Sequence, residues 1–469
     1  MKAIKTCQTL GFTALASLAA ASHASGQSAD ALINKLVQKG VLTEREGKDL
    51  LVETDTNLVS ASKWRLSEAF KNITLFGDVR FRYEYRGADN APKSGSTADD
   101  YYRERFRYAV RFGLRGELFD DFYYGIRLET STNPRSPWVT FADDSSPTPS
   151  AKNSDGINIG QAYLGWKPSS WYEMTVGRMP NPLYVTPLMW DSDINPEGAA
   201  EKFKFTAGPV DFFANFGQFI YQDTNPDTSV PSSDTFILAW QVGGTVKLAK
   251  DVSLKIAPAV YNYTGVGKAN GLNTPYVGEG LKGINVNNST NFNQNGINDL
   301  LVLDVPGEVN FKVGKYGARV FGDFAYNFLG NDRARAAAVT AGPAVLSRAH
   351  TGEDKAYQIG AGFGNLGLVY GQTSKKHTWE ARAYWQHIEQ YSLDVNLIDS
   401  DFFEGRANLE GVYSALAYSF TDSIIGTVRY GYAHRINDQL GTGGNNLDLP
   451  ILNPVNQYHL LQLDVTWRF

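Results

Sequence analysis

From Ile73 to the C-terminus the chain alternates apolar and polar residues with a period of two. That rhythm puts each set of side chains on its own face of an extended strand. In the first stretch Leu75, Gly77, Val79, Phe81, Tyr83 and Tyr85 alternate with Thr74, Phe76, Asp78, Arg80, Arg82, Glu84 and Arg86. In the second, Phe106, Tyr108, Val110, Phe112 and Leu114 alternate with Arg105, Arg107, Ala109, Arg111, Gly113 and Arg115. The last runs Leu461, Leu463, Val465, Trp467 and Phe469 against Gln462, Asp464, Thr466 and Arg468. A soluble sandwich alternates too, around a core about 10 Å thick. Strands this long, with aromatics near their ends, suit a sheet facing lipid. Arginines turned toward lipid would each cost about 2–4 kcal/mol near the midplane. The polar face must therefore line a wet interior. The chain has 45 Gly and 13% aromatic residues, yet its mean hydropathy is negative, as expected when a lipid face and a water face cancel. The single cysteine, Cys7, excludes a disulfide scaffold and any Cys-based zinc or iron–sulfur site.

The connections set the strand number. Tight turns are expected at Phe119–Asp121, Pro168–Ser170, Gly208–Pro209, Ala249–Asp251, Gly314–Lys315, Thr373–Lys376 and Thr421–Ser423. Between them fall long loops at 87–100, 132–155, 179–199, 222–233, 265–297, 329–354, 391–406 and 437–456. Seven turns alternating with eight loops predict an all-β, sixteen-stranded antiparallel transmembrane barrel over 73–469. A water-filled lumen is expected at that strand number. Parity flips near Asn365, which predicts a β-bulge there, or an extra hairpin and eighteen strands.

The segment before the barrel has a different character. Lys2 and Lys5, the apolar run Leu10–Ala21 and the small residues before Ala24 read as an export signal, residues 1–24. A helical segment is expected over 25–53, with Gly40 ending one helix and a capping box of Thr43 and Glu46 opening another. Residues 54–72 read as a linker.

These features together resemble the outer-membrane "putative porin" family, itself close to the general bacterial porins. The residues that carry the resemblance are the opening Leu32–Thr43, the strand Phe76–Arg80, the stretch Trp190–Gly198 and the terminal Trp467-Arg468-Phe469. The resemblance implies a passive diffusion channel in the cell outer membrane, among lipids and lipopolysaccharide, as a homotrimer passing small polar solutes. It also implies that Trp467 and Phe469 belong to the signal read by the barrel-assembly machinery. The loop 179–199 takes the place of the one that folds into the barrel and narrows it in general porins.

Taking the polar parity as inward puts Arg80, Arg82, Arg105, Arg107, Arg111, Arg115 and Arg127 on three neighbouring strands. Positives on the expected wall outnumber acids about two to one, which predicts a modest anion preference. Asp191, Asp193 and Glu197 are expected to face these arginines across the constriction. Met179, Pro182, Leu183, Leu188 and Trp190 make the loop too apolar for a surface tip. Asp191, Asp193 and Asn195 also match the first positions of a calcium loop, but Pro196 stands where Gly is needed. No cofactor, catalytic set or nucleic-acid surface is expected, and Gly362–Gly367 copies a dinucleotide fingerprint without its helix. Two alternatives stay open. One is a channel specific for phosphate, a sugar or an organic acid, with Tyr83, Tyr102, Trp138 and Trp166 as candidate sugar-stacking rings. The other is a closed, non-channel barrel acting as a membrane enzyme, an adhesin or a structural protein.

Overall fold

A computed structural model describes residues 29–50, 67, 69–90, 100–131, 136–142, 155–223, 234–265, 300–341, 351–365, 375–438, 440–442 and 455–469. The proposed export signal and most of the proposed linker lie outside them. The chain forms two compact units, Met1–Phe70 and Lys71–Phe469. In the first, helix α1 spans Ala29–Gln38 and ends at Gly40, whose φ of 72° suits a residue without Cβ. A second helical stretch covers residues 44–50. Thr43 N–H donates to Glu46 Oε2 at 2.9 Å, and Glu46 N–H donates to Thr43 Oγ1 at 3.2 Å, a reciprocal cap. A Cβ on Gly47 would meet Val37 Cγ2 at 2.4 Å, so the missing side chain lets the two helices touch.

The second unit is one closed sheet of nineteen pieces. Its first part comprises β1 (Thr74–Asn90), β2 (Asp100–Glu117), β3 (Phe122–Thr130), β4 (Val139–Thr140), β5 (Ile157–Trp166), β6 (Tyr172–Arg178), β7 (Glu197–Ala207), β8 (Val210–Gln222) and β9 (Thr235–Ala249). There follow β10 (Val252–Ile256), β11 (Ala259–Gly265), β12 (Leu301–Asp304), β13 (Gly307–Val313), β14 (Tyr316–Asn327), β15 (Lys355–Gly364), β16 (Trp379–Ile388), β17 (Leu409–Ser419), β18 (Ile424–Arg435) and β19 (Val455–Arg468). Helix α2 (Gly330–Ala341) lies between β14 and β15.

Three short pieces reduce the count to sixteen staves. β4 pairs with β2 at Arg107 and Tyr108, just beyond the stretch where β3 pairs with it. β10 and β11 are one stave interrupted at Pro258; β12 and β13 are its neighbour, interrupted at Pro306. A proline cannot donate to the ladder. The two breaks sit side by side, where Ala257 N–H donates to Pro306 O at 3.0 Å. β1 and β19 pair from Asp78↔Arg468 to Asn90↔Val455 and close the wall. The sixteen-stranded expectation therefore holds, and the eighteen-stranded one does not. β15 ends at Gly364 (φ 144°), and Asn365 N–H donates to Trp379 O at 2.8 Å. The residues beyond Asn365 that carry the parity flip lie outside the described residues. The turn expected at 373–376 falls mostly outside the described residues.

Tight turns gather at one end. The β2–β3 turn uses Asp120 and Asp121 at φ 57° and 65°, the left-handed pair that matches hairpin twist. On the outer face Leu75, Phe81, Phe106, Phe112, Leu463 and Val465 are exposed. On the alternate positions Arg82, Arg86, Arg105 and Arg111 are buried. This is the reverse of a soluble protein and the pattern of a membrane barrel.

Candidate functional site: an arginine wall and two internal loops

The connection between β6 and β7 touches both sides of the barrel. Met179, Leu183, Leu188 and Trp190 are buried. Tyr184 is clamped by Gln241 of β9, which accepts from its N–H at 2.7 Å and donates to its C=O at 2.8 Å. Thr186 donates to Asp323 of β14. On the far side Arg111 of β2 donates to Asp193 at 2.5 Å. Gln241 is fully buried, and its amide also donates to Ala257 O beside the Pro258 break, at 3.3 Å. Leucine at 241 keeps the volume but loses all of these bonds, at roughly 1–3 kcal/mol for the buried groups left unmatched. We expect Gln241→Leu to yield a folded barrel with noisier single-channel current; a steady, wild-type trace would show that the clamp does not hold the loop.

A second loop lies inside, between β16 and β17. From sequence, 391–406 is expected only as a long loop, with no place in the lumen assigned to it. Its Tyr391, Leu393, Val395, Ile398, Phe402 and Phe403 are all almost fully buried. The wall is shaped to receive it. A Cβ on Gly431 would meet the Phe402 ring at 2.5 Å, and Tyr384 and Tyr413 pack on that ring at centroid distances of 6.1 and 5.4 Å. The two loops are joined. Asp191 N–H donates to Leu397 O at 2.6 Å, and Asp399 N–H donates to Pro187 O at 3.2 Å. Ser400 donates to Asp191 Oδ2 through both N–H (3.0 Å) and Oγ (2.7 Å).

The strand register explains the arginine cluster. β1 and β2 set Arg82 opposite Arg107, Glu84 opposite Arg105, and Asp78 opposite Arg111. Like charges directly opposed would repel. Three features relieve this. Glu84 is fully buried and lies 3.0 Å from Arg86 and 3.6 Å from Arg107, and it also accepts from Arg105 Nε at 2.7 Å. Arg82 makes a two-pronged bond to Asp464 of β19, at 2.8 and 3.0 Å. The Trp138 ring lies 4.0 Å from the Arg82 guanidinium and 5.9 Å from that of Arg107.

Between this wall and the two loops lies a cavity of about 420 Å³. Its lining carries seven arginines (80, 82, 86, 107, 111, 382 and 429) and four aspartates (191, 193, 399 and 401). Asp399 and Asp401 come from the second loop. Asp401 accepts from Arg82 at 2.8 Å. The expected two-to-one excess of positives omitted these loop acids, so the true excess at this level is smaller. Burial pushes the Asp399 carboxyl up to about 6, and the charge of Asp401 adds to the effect. Burial also opposes the charge of Asp401, but Arg82, Arg86 and Arg429 outweigh it and hold that carboxyl below the ordinary range. The lining therefore gains positive charge as pH falls through about 6.

Other expected site residues stand apart from this lining. Arg105 lies behind it on Glu84. Arg127 donates to Glu129 at 2.8 Å. Arg115 sits 4.9 Å from the Phe76 ring, near the tight-turn end. Glu197, expected across from the arginines, is the first residue of β7, half-exposed and paired with Arg178 at 2.8 Å. The oxygens of the calcium-like stretch are engaged elsewhere: Asp191 by Ser400, Asp193 by Arg111, and Asn195 by Gln161 at 2.9 Å. Of the four candidate sugar-stacking rings, Trp138 alone lines the cavity; Tyr102 is 73% exposed and Trp166 lies on the outer face. Trp467 and Phe469 sit on the outer face at the closure, where Phe469 exchanges backbone bonds of 3.0 and 3.2 Å with Gly77.

Comparison with known proteins gives three results. No curated protein matches the sequence. Solved structures similar to the chain include two engineered variants of the porin of Rhodopseudomonas blastica, 10% and 11% identical, each covering 85% of this chain and 100% of its own, with TM-scores of 0.39 and 0.38. Residues 89–310 and 302–469 match the model of the family described as "Putative porin", and the chain belongs to that family.

Proposed function

We propose that this porin is a passive channel of the Gram-negative outer membrane, exported through the periplasm, and that it prefers small hydrophilic anions. The single observation carrying the reading is the cavity lining, where seven arginines stand against four aspartates. Guanidinium groups stay charged at every physiological pH, and a charged ring at a narrow passage selects the opposite sign. The two joined loops form the constriction, with Asp191 and Asp193 opposite Arg80, Arg107 and Arg111. The tight turns face the periplasm and the long connections face outward, the usual arrangement of such barrels. The aromatic C-terminus, Trp467 and Phe469, serves as the assembly signal, and the barrel works as a trimer among lipids and lipopolysaccharide.

The test is the reversal potential of the refolded protein in planar bilayers under a potassium chloride gradient. The expected sign is that of chloride; a cation sign would overturn the charge argument. A second reading has its own support. A cavity of about 420 Å³ is within the range of small-molecule sites, and Trp138, Trp190, Tyr384 and Tyr413 line it beside the arginines. That combination suits one preferred organic acid or phosphate, and saturable block of the current by a single solute would favour it.

A further inference from the structure

The 179–196 loop lines two cavities with consecutive parts of its length. Val185, Thr186, Pro187 and Trp190 line the arginine cavity. The residues just before them, Pro182, Leu183 and Tyr184, line another, of about 500 Å³. The remaining walls of this second cavity include Lys202 and Lys204 of β7, Lys255 of β10, Asn215 and Thr245. β7 runs through both lysines to the turn at Gly208, and β10 begins just after the turn at Lys250 and Asp251, so the cavity opens at the tight-turn end. The register sets Lys202 opposite Asn215 and Lys255 opposite Thr245.

The charges here are matched only in part from within: Glu308 of β13 stands opposite Lys255 in the register and Glu173 of β6 opposite Lys202, but neither lines the cavity, and Glu308 also lies 3.5 Å from Arg319. Lys255 Nζ lies over the Tyr184 ring at 3.4 Å and 5.5 Å from that of Phe213. Among the described residues no carboxylate lies within salt-bridge distance of Lys204 or Lys255, whereas Lys202 reaches Glu173 at 3.4 Å. The one acid in the lining, Asp211, accepts from Thr206 at 2.6 Å. The lining itself thus holds three ammonium groups against one carboxylate, with one ammonium seated on an aromatic face, and so presents a positive surface to solutes. The clamp of Gln241 on Tyr184 fixes that face in place.

We propose that this cavity is a second anion site, for small polyvalent oxyanions bearing carboxylate or phosphate groups. A solute passing toward the tight-turn end would meet it near that mouth of the barrel. The inference rests on the channel reading and adds a second station to it. Lysine suits such a station because its ammonium is a compact point charge with rotatable donors and does not impose the planar fork of arginine.

The experiment uses full-length protein in bilayers loaded from one side, with citrate as probe and chloride current as readout. Citrate added at the tight-turn end should block at lower concentration than citrate added opposite. Lys204→Gln with Lys255→Gln should weaken that block about tenfold, the loss of two nearby charges. Lys250→Gln, at the exposed rim, should keep the wild-type block, and heat-modifiable gel mobility verifies that each variant is folded. Equal block from both sides, or a double variant blocked like wild type, overturns the second site. A wild-type channel that prefers cations overturns the anion reading instead, so the two failures are separable.

Discussion

Channels carrying Arg107→Glu and Arg111→Glu together should reverse their ion preference. Both side chains line the cavity, where the described charges amount to three net positive. Two replacements, each worth two charge units, bring that to one net negative. The sign of the reversal potential should follow, because a constriction reads local charge and not the net charge of the chain. The structure also indicates the cost. Arg111 holds Asp193 at 2.5 Å and lies 3.6 Å from Glu129, and Arg107 lies 3.6 Å from Glu84. Removing one partner of a buried pair costs about 3–5 kcal/mol, so folding should be verified by gel mobility before recording. A folded double variant whose reversal potential stays at the wild-type value would end the claim that these arginines set selectivity. Charge swaps within 437–456 should leave it almost unmoved.

Replacing residues 391–406 by a short Gly-Ser linker should raise single-channel conductance severalfold. This segment fills the interior with Tyr391, Leu393, Val395, Ile398, Phe402 and Phe403, and it carries Asp399 and Asp401 to the arginine wall. It also supplies Ser400, the partner of Asp191, so its loss should unseat the 179–196 loop as well. Anion preference should rise at the same time, because the lining loses two aspartates and none of its arginines; the one arginine deleted with the segment, Arg406, is buried on Glu404 at 3.0 Å and lies outside the lining. A conductance equal to wild type would mean that the loop lies outside the conducting path.

Much of this was legible from residue type and parity. Arg80, Arg82, Arg107 and Arg111 fall on one strand face by counting alone, and desolvation in lipid permits one direction for that face. The 179–196 loop was legible because Met179, Leu183, Leu188 and Trp190 are too apolar for a surface tip. The same signal was present in the other loop, in Leu393, Val395, Leu397, Ile398, Phe402 and Phe403, but a connection of ordinary length between two clear strands drew no further reading. Asp399 and Asp401 therefore stand outside the two-to-one count read from strand parity. Pairings that depend on distant chain could not be read. Nothing local says that Asp191 meets Ser400, or that Glu197 turns to Arg178 although it lies six residues from Asp191 in sequence.

The bond between Asp191 and Ser400 has a consequence for biogenesis. Its two ends are 209 positions apart, and the Arg82–Asp464 contact spans 382. Contacts of such separation carry a large loop-closure cost and make folding slow. The bond between the two loops needs the chain only as far as residue 400, whereas the seam between β1 and β19 needs it to residue 468. The loop pair is thus complete in sequence before the cylinder around it, and the first and last staves make the final joint.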